Sequence, residues 1–504
     1  MRGVVSAGDE KSALAGAMIL EAGGNAFDAV CASMLTAPLS EPMLTSLGGG
    51  GFMMVRKSGS SEPVLYDFFV DVPPKRVENP DFFPIYVDFG TTVQEFHIGA
   101  GSTAVPGMVA GIEKIHSDLG SMSMREIASP AMKFAKEGIR LSRMQSGFVR
   151  LLEPILLSTP ESTKLYAPDG RLIDHERTIY NRDYGDFLDI FVDEGSDIFY
   201  RGEIARKIDE IYREAGGSLR YEDLSDYEVV VRKPASFQYE GRTIYTNPPP
   251  SSGGILISFT LEMLDGKYGL DTPDFWMDIV ESMAVTSDFR KIHVDPNIHR
   301  ENLVSILADE KLVSHYKTGK KSRLNLWGNT THISVIDSDG NCASVTTTNG
   351  EGSGIVIPGC GIMMNNMLGE EDLNPHGFFS WPAGVRLPSM MAPTIAMRDG
   401  EPELILGSAG SNRIRSAIVE VCARYLGFAE SISDAIEAPR LHFENDTLYL
   451  EPGMDSSFIE SAKRRYEVNV FDEKSLFFGG VNAVTGDFDA GADGRRSGKT
   501  IFVR

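Results

Sequence analysis

The sequence predicts a fold that mixes α-helices and β-strands around a central hairpin. Residues 330–354 carry β-branched residues on both sides of a turn that contains Asp-Gly, which is a strong hairpin signal. Residues 9–38 have helical composition with an interruption at 23–25, and the stretch 140–235 is rich in helical segments. With 504 residues, the chain is long enough to bury a large core.

The turn of this hairpin determines which residues face each other. A three-residue loop at 338–340 sets Thr330 opposite Thr348, whereas a two-residue turn sets Thr330 opposite Asn349. In either register, the first threonine lies beside polar residues from the far end of the hairpin. Threonine pairs are common in sheets, so this pairing alone is most simply structural.

Two other segments have both a structural and a functional interpretation. The glycine run at 47–52 lacks the Lys-Ser/Thr of a phosphate-binding loop, which favours close backbone packing at a turn into a strand. Ser251 and Ser252 follow three prolines without a Gly-x-Ser-x-Gly pattern. They therefore favour a rigid turn that starts a helix at Ile255 over a nucleophile.

Charge and composition exclude several classes of function. The net charge is −23, which argues against a nucleic-acid or anionic membrane partner because phosphate binding uses clusters of Lys and Arg. Residues 317–329 carry four basic residues and indicate an exposed loop, with a nucleic-acid patch as the alternative. No run of 18 apolar residues exists, so no membrane span is expected.

Cysteine and histidine spacing gives no sign of a metal or cofactor. The four cysteines, at 31, 342, 360 and 422, show no C-x-x-C spacing and lie in apolar or glycine-rich contexts, which favours buried free thiols. The nine histidines form no H-E-x-x-H pattern.

The hairpin carries a motif that is similar to a known family. Asn329-Thr330-Thr331-His332, then Val-Ile-Asp-Ser-Asp-Gly-Asn, then Thr346-Thr347-Thr348-Asn349, resembles the processing site of the γ-glutamyltranspeptidases, which are N-terminal nucleophile hydrolases. The resemblance covers almost the whole chain and is weakest at 140–240 and 445–475. Its other segments lie at 17–30, 99–111, 247–254, 407–413, 437–442 and 491–498.

The resemblance implies an α+β fold with four αββα layers, in which two stacked antiparallel sheets lie between helices. It also implies that the precursor cuts itself between Asn329 and Thr330. The large segment 1–329 and the small segment 330–504 then form one compact fold. A threonine hydroxyl is a weak nucleophile that needs a base. The α-amine freed on Thr330, with an ordinary pKa of ~7.7–8, is such a base.

The resemblance also implies roles for catalytic residues. Thr330 is the implied nucleophile, Thr348 holds its side chain, and Asn349 orients the amine or the substrate. The family has two adjacent glycines whose N–H groups stabilise the oxyanion, and Gly410 and Ser411 stand at these positions. The oxyanion hole is kept if Ser411 adopts the needed backbone dihedral angles.

Two further positions match residues that bind the substrate in the family. Ser389 corresponds to a serine that contacts the donor carboxylate. Glu370 or Glu371 lies near the acidic position that binds the α-amino group, and Glu370 is the expected ligand.

Three residues depart from the family's pattern for glutamate binding. Phe69 stands where an arginine holds the α-carboxylate, and an aromatic ring cannot replace a guanidinium. Met367 replaces an amide or acid, and Pro388 replaces a serine. The groups that react are kept, whereas the groups that recognise glutamate are altered.

The sequence therefore predicts a self-processing amidase or acyltransferase that acts on γ-glutamyl compounds such as glutathione. The alternatives are an amidohydrolase or acylase for another small acyl group, such as glutaryl, and an uncleaved, non-catalytic binding protein. The expected partners are a small-molecule amide and the second piece of a cleaved heterodimer, with a homo-oligomer of that heterodimer as a further option. Many relatives are exported, but no signal peptide is visible here, so a cytoplasmic location is expected.

Overall fold

The computed structural model describes residues 1–88, 93–300, 303, 329–444 and 446–504. The basic loop expected at 317–329 therefore lies outside the described residues, except for Asn329.

Within this part of the chain, seven strands form a first sheet in which every neighbouring pair is antiparallel. In spatial order they are β20 (Lys499–Val503), β1 (Gly3–Ala7), β9 (Thr331–Asp337), β10 (Cys342–Thr348), β2 (Gly50–Arg56), β3 (Val64–Phe68) and β6 (Val230–Arg232).

A second antiparallel sheet holds six of the described strands. Its order is β19 (Ala490–Ala492), β18 (Gly480–Thr485), β14 (Glu401–Ala409), β13 (Thr394–Arg398), β8 (Arg242–Thr246) and β7 (Ala235–Tyr239). The smaller sheets are formed by β4 (Phe83–Asp88) with β5 (Val93–Ile98), β11 (Val356–Ile357) with β12 (Ile362–Met363), and β15 (Leu441–Glu444), β16 (Thr447–Leu450) and β17 (Glu467–Val470).

The hairpin of β9 and β10 adopts the first of the two predicted registers. Val335 faces Ala343 and Thr331 faces Thr347. The Asp337 N–H donates to the Asn341 carbonyl at 3.0 Å, which closes a three-residue loop at 338–340. Continued by one residue, this register sets Thr330 beside Thr348.

The α-helices of the described residues are α1 (Glu10–Glu21), α2 (Ala26–Ser40), α3 (Met108–Leu119), α4 (Met124–Glu137), α5 (Arg143–Leu151), α6 (Glu153–Leu156), α7 (Pro160–Tyr166), α8 (Arg182–Glu194), α9 (Asp197–Tyr200), α10 (Glu203–Glu214), α11 (Tyr221–Ser225), α12 (Gly253–Met263), α13 (Pro273–Phe289), α14 (Arg413–Cys422), α15 (Ile432–Glu437) and α16 (Ser456–Lys463). The predicted interruption at 23–25 separates α1 from α2, and the Asn25 side chain caps α2 by accepting from the N–H groups of Phe27 and Asp28. Helix α12 begins at Gly253 rather than at the predicted Ile255.

Successive side chains of β9 point to opposite faces of the first sheet and pack against different layers. Ile333 and Val335 pack with α1, α2 and α3 in one core on the outer face of the first sheet. His332 and Ile336 point the other way, toward the second sheet: a Cβ on Gly407 of β14 would lie 2.3 Å from Cε1 of the His332 ring. Helices α12 and α14 cover the far face of the second sheet. The order helix, sheet, sheet, helix confirms the predicted four-layer α+β fold.

Two other expectations concern the cysteines and the membrane. All four cysteines are buried free thiols, as predicted. Across the described residues, no helix combines the length and the apolar character needed to cross a bilayer.

Candidate active site

Thr330 lies just before β9 in the wall of a pocket. The pocket brings together most of the site residues predicted from the sequence, namely Asn329, Thr330, Thr348, Glu370, Ser389 and Ser411. Glu371 is absent from the described lining, so Glu370 is the one of this pair that faces the pocket. Asn349 is also absent from the described lining. It is buried, with its side-chain nitrogen 3.5 Å from the Met364 carbonyl oxygen. A role for Asn349 in orienting the amine or substrate stays a prediction.

The peptide between Asn329 and Thr330 is held by the far strand of the hairpin. The Thr348 hydroxyl donates a short hydrogen bond to the Asn329 carbonyl oxygen and accepts one from the Gly350 N–H at 3.0 Å. On the other side, Nη1 of Arg496 lies 3.5 Å from the Thr330 carbonyl oxygen. A hydroxyl that donates to a carbonyl oxygen makes the carbonyl carbon more electrophilic, so this contact favours attack on the Asn329 carbonyl.

Buried polar groups support the hairpin next to Thr330. Thr331 donates to Oε1 of Glu41 at 2.7 Å. Burial raises the pKa of Glu41 to about 8, and the neighbouring Asp9 adds to this shift. The two ring nitrogens of His332 lie 2.7 Å from the Thr346 hydroxyl and 3.0 Å from the Ser334 hydroxyl. Burial lowers the pKa of His332 to about 3, so this histidine stays neutral and acts as a structural link between strands.

The backbone at 410–411 has two successive residues with positive φ. Gly410 has φ +117° and Ser411 has φ +52°, which places Ser411 in the left-handed region. A role for their N–H groups in an oxyanion hole stays a prediction. Gly410 itself does not line the pocket, but a Cβ there would lie 2.9 Å from Cα of Gly479, so only glycine fits. Both residues lie just before Asn412, the N-cap of α14, and therefore near the positive end of the helix dipole.

An acidic residue that the sequence analysis did not single out holds Ser411. The Ser411 hydroxyl donates a short hydrogen bond to Oδ2 of Asp372, and Nδ2 of Asn412 lies 3.3 Å from Oδ1 of Asp372. Burial raises the pKa of Asp372 to about 6, while the Ser411 hydrogen bond opposes the shift. The only sequence signal for Asp372 is its position directly after Glu370 and Glu371.

Arg290 and Asp295 form a second part of the lining that sequence reasoning missed. Nε of Arg290 lies 3.2 Å from Oδ1 of Asp295, and Nη1 donates to Oδ1 of Asn412 at 3.0 Å. Both residues come from the segment just after α13, which carries no motif that would predict a site.

Two of the residues that depart from the family's pattern lie in the pocket wall. Phe69 and Pro388 line the pocket beside Ser389, and the Phe69 ring stacks on Phe52 with centroids 5.3 Å apart. Met367 is fully buried and does not contribute to the described lining. At these two positions the pocket wall is thus more apolar than the family's pattern implies.

A comparison with solved structures shows the class of fold. The cephalosporin acylase from Bacillus halodurans superposes with a TM-score of 0.86 over 99% of this chain and 95% of that chain, at 21% sequence identity. The four-layer fold is that of the N-terminal nucleophile hydrolases.

Comparisons of sequence show the family. The family model for "Gamma-glutamyltranspeptidase" matches residues 12–503, and the chain therefore belongs to the γ-glutamyltranspeptidase family. It is similar to the glutathione hydrolase proenzyme of Bacillus subtilis (26% identity, 99% of this chain and 91% of the relative) and to the acylase ACY 1 proenzyme of a Pseudomonas species (27% identity, 96% and 89%). The protein is accordingly an enzyme with amidase or acyl-transfer activity.

Proposed function

We propose that the chain cuts itself between Asn329 and Thr330 and that Thr330 then takes the acyl group of a small γ-glutamyl-like amide, such as glutathione. The observation that carries this proposal is the place of Thr330. It lies in the pocket wall, directly after a peptide carbonyl that already accepts a hydrogen bond from Thr348.

In the proposed reaction, the Thr330 hydroxyl attacks the carbonyl carbon of the substrate amide, and the freed α-amine of Thr330 takes the hydroxyl proton. The N–H groups of Gly410 and Ser411 stabilise the negative oxygen of the tetrahedral intermediate. The C–N bond then breaks, and the leaving amine takes the proton from the α-amine. The resulting ester on Thr330 passes its acyl group to water or to an acceptor amine.

An acylase for a different small acyl group is the second candidate, because Phe69 and Pro388 line the pocket where the family uses polar groups. The relatives include both types: one carries the name glutathione hydrolase and another the name acylase. An uncleaved binding protein is the third candidate. In that case we expect neither self-cleavage nor turnover of an amide substrate.

Replacing the proposed nucleophile is the direct test. We expect Thr330→Ala to remain a single chain and to hydrolyse no amide. It lacks the hydroxyl that would attack the Asn329 carbonyl during self-cleavage and the substrate amide during turnover. Thr330→Ser is the matched control, since it keeps the hydroxyl and the future α-amine, and we expect it to be cut and to retain turnover. Both variants are followed by gel and by release of nitroaniline from acyl nitroanilides. An uncut Thr330→Ala protein that still hydrolyses an amide would contradict the proposal.

A further inference from the structure

We infer that Arg496 is a positioning residue for the proposed nucleophile: its guanidinium holds the Thr330 carbonyl oxygen and keeps the freed α-amine of Thr330 unprotonated at neutral pH. The inference rests on the proposed function, because that amine exists only after the cut between Asn329 and Thr330. Arg496 is absent from the described pocket lining, so it acts through Thr330 rather than on the substrate.

The Arg496 side chain reaches Thr330 from the C-terminal part of the chain. Arg496 ends a short 3₁₀ turn, Gly494–Arg496, shortly before β20, and it is only 4% exposed. Its Nη1 lies 3.5 Å from the Thr330 carbonyl oxygen, and its Nη2 donates to the Leu476 carbonyl oxygen at 3.2 Å. These contacts direct the guanidinium at the backbone of the proposed nucleophile.

Two glycines leave room for this side chain. A Cβ on Gly480 would lie 2.5 Å from Cδ of Arg496, and a Cβ on Gly410 would lie 3.1 Å from its Nη2. The Arg496 side chain therefore packs against the backbone at the start of β18 and against the loop that carries Gly410. This packing fixes the guanidinium between the proposed nucleophile and the proposed oxyanion hole.

The Arg496 guanidinium carries a positive charge that no carboxylate neutralises at short range within the described residues. It forms no ion pair there, and its Nε is buried without a hydrogen-bond partner. Asp493, the nearest acid in sequence, pairs instead with Arg440 at 2.7 Å and with Arg495 at 3.3 Å. Burial lowers the pKa of Arg496 to about 10, so the group is still protonated at neutral pH.

Most carboxyl groups around Thr330 are protonated at neutral pH and therefore do not cancel this charge. On the side of α2, Glu41 accepts from the Thr331 hydroxyl, and burial raises the pKa of Glu41 to about 8. On the pocket side, burial raises the pKa of Glu351 to about 8 and the pKa of Glu370 well above its ordinary value.

The remaining charged groups are paired or do not differ between the wild-type enzyme and its Arg496 variants. Nε of Arg290 lies 3.2 Å from Oδ1 of Asp295. Burial raises the pKa of Asp372 to about 6, so this acid is ionised at neutral pH and opposes Arg496 in every variant alike. The other titratable groups around the hairpin and the loop at 410–412 are Asp9, His332, Arg413, Arg440 and Glu444.

A nearby cation lowers the pKa of an amine, because the protonated amine then faces a like charge. The nitrogen and the carbonyl oxygen of one residue are at most about 4 Å apart, so Nη1 of Arg496 lies within about 8 Å of the future α-amine. At an effective dielectric constant of about 20–40, this distance corresponds to a shift of about one pKa unit. An ordinary α-amine, at ~7.7–8, would move to about 7, where a general base works best at neutral pH.

The pKa of the Thr330 amine is measured directly by its reaction with limiting acetic anhydride across a range of pH. Hydroxylamine then removes esters, and mass spectrometry gives the acetylated fraction of the tryptic peptide 330–386. This peptide contains no lysine, so its only amine is the α-amine of Thr330. We expect an apparent pKa of about 7 in the wild type. We expect Arg496→Met to raise it by about one unit and Arg496→Lys, which keeps the charge, to change it by less than about half a unit.

The pH dependence of turnover gives a second readout. We expect the ratio of kcat/KM at about pH 6.5 to that at about pH 9 to fall by about tenfold in Arg496→Met, because one pKa unit changes the unprotonated fraction tenfold. A purely structural loss of active protein would not move this ratio. Arg464→Met is the matched control, since it removes a cation from the exposed C-terminal end of α16, where solvent screens the charge.

Each failure has a distinct meaning. The same amine pKa in the wild type, Arg496→Met and Arg496→Lys would overturn the inference and leave the proposed function intact. If Arg496→Met is not cut, the wild-type titration decides: an apparent pKa of ~7.7 or higher overturns the inference, and a lower value supports it. A wild-type chain that is never cut would instead remove the proposed function on which the inference rests.

Discussion

At the scale of single residues, the Thr348 hydroxyl has two partners that suit self-cleavage. It donates to the carbonyl oxygen of Asn329, where negative charge would develop during attack by Thr330, and it accepts from the Gly350 N–H at 3.0 Å. Because the hydroxyl oxygen accepts from the Gly350 N–H, its own hydrogen is directed toward the Asn329 carbonyl oxygen.

Thr348→Val keeps the shape of the side chain and removes the hydroxyl. We expect self-cleavage to slow by about 10²–10³, the usual loss for one donor to a developing oxyanion. The time course of cleavage after synthesis, followed by gel, measures this rate. Thr348→Ser keeps the hydroxyl and should be cut at a rate near that of the wild type. Equal rates for the valine and serine variants would show that the contact has no role.

Ser411 supplies its backbone rather than its hydroxyl to the proposed oxyanion hole. Glycine adopts φ +52° without strain, whereas a β-branched residue strongly disfavours it. We therefore expect Ser411→Gly to keep kcat/KM within about tenfold, and Ser411→Val to lose about 10²–10³ because the N–H moves away from the oxyanion. Nitroanilide hydrolysis measures both. Equal losses in the two variants would assign the function to the hydroxyl and its bond to Asp372 instead.

At the scale of elements, a buried carboxyl joins helix α2 to strand β9. Glu41 follows the last residue of α2 and accepts from the hydroxyls of Thr331 and Ser12, at 2.7 and 3.2 Å. Its pKa is raised from 4.5 to about 8 in the folded protein. The folded state therefore keeps a proton that the unfolded state has lost. Stability from this group is present at low pH and falls as the pH rises from about 4.5 to about 8.

Between pH 6.5 and 8, we expect the free energy of unfolding to fall as the pH rises. The buried histidines do not oppose this trend, because His332 and His442 have lowered pKa values of about 3 and 4. Glu41→Gln should reduce the slope by up to ~1.4 kcal/mol per pH unit, since it removes one titrating group. Denaturant titrations of the uncut Thr330→Ala chain measure the slope, with Glu21→Gln on the exposed end of α1 as the control. An unchanged slope in Glu41→Gln would show that Glu41 is ionised in the folded protein.

Elements with a local signal were predictable from the sequence, and the hairpin is the clearest case. β-branched runs around an Asp-Gly turn predicted β9 and β10, and turn geometry reduced the register to two choices, of which the structure has one. Glycines and an asparagine predicted the break between α1 and α2 for the same local reason. The stacking of two sheets depends on long-range packing, such as His332 against Gly407, and it followed only from the family resemblance.

The candidate active site shows the same difference between residues with a local sequence signal and residues placed by long-range packing. Residues inside recognisable motifs, such as Thr330, Thr348 and Ser411, were predictable and meet in one pocket. Arg290 and Asp295 were not predictable, because they line the pocket from a segment that lies far from the hairpin in sequence and carries no motif of its own. Burial, which sets the pKa of Asp372, is likewise a property of the packed chain and leaves no trace in a short stretch of sequence.

At the scale of the whole molecule, strands from the two sides of the proposed cut alternate within one sheet. The order β20, β1, β9, β10, β2 places β1 and β2, which precede the cut, beside strands that follow it. Cleavage at Asn329–Thr330 would break one peptide bond and separate no neighbouring strands. The two pieces should therefore stay together under native conditions and separate only when the protein is unfolded.

The intact mass of the purified protein under denaturing conditions shows whether Thr330 becomes a new N-terminus. We expect two masses, those of residues 1–329 and 330–504, from a sample that migrates as one species under native conditions. A single mass for all 504 residues after prolonged incubation would rule out the proposed mechanism, because Thr330 would then lack the α-amine that acts as its base.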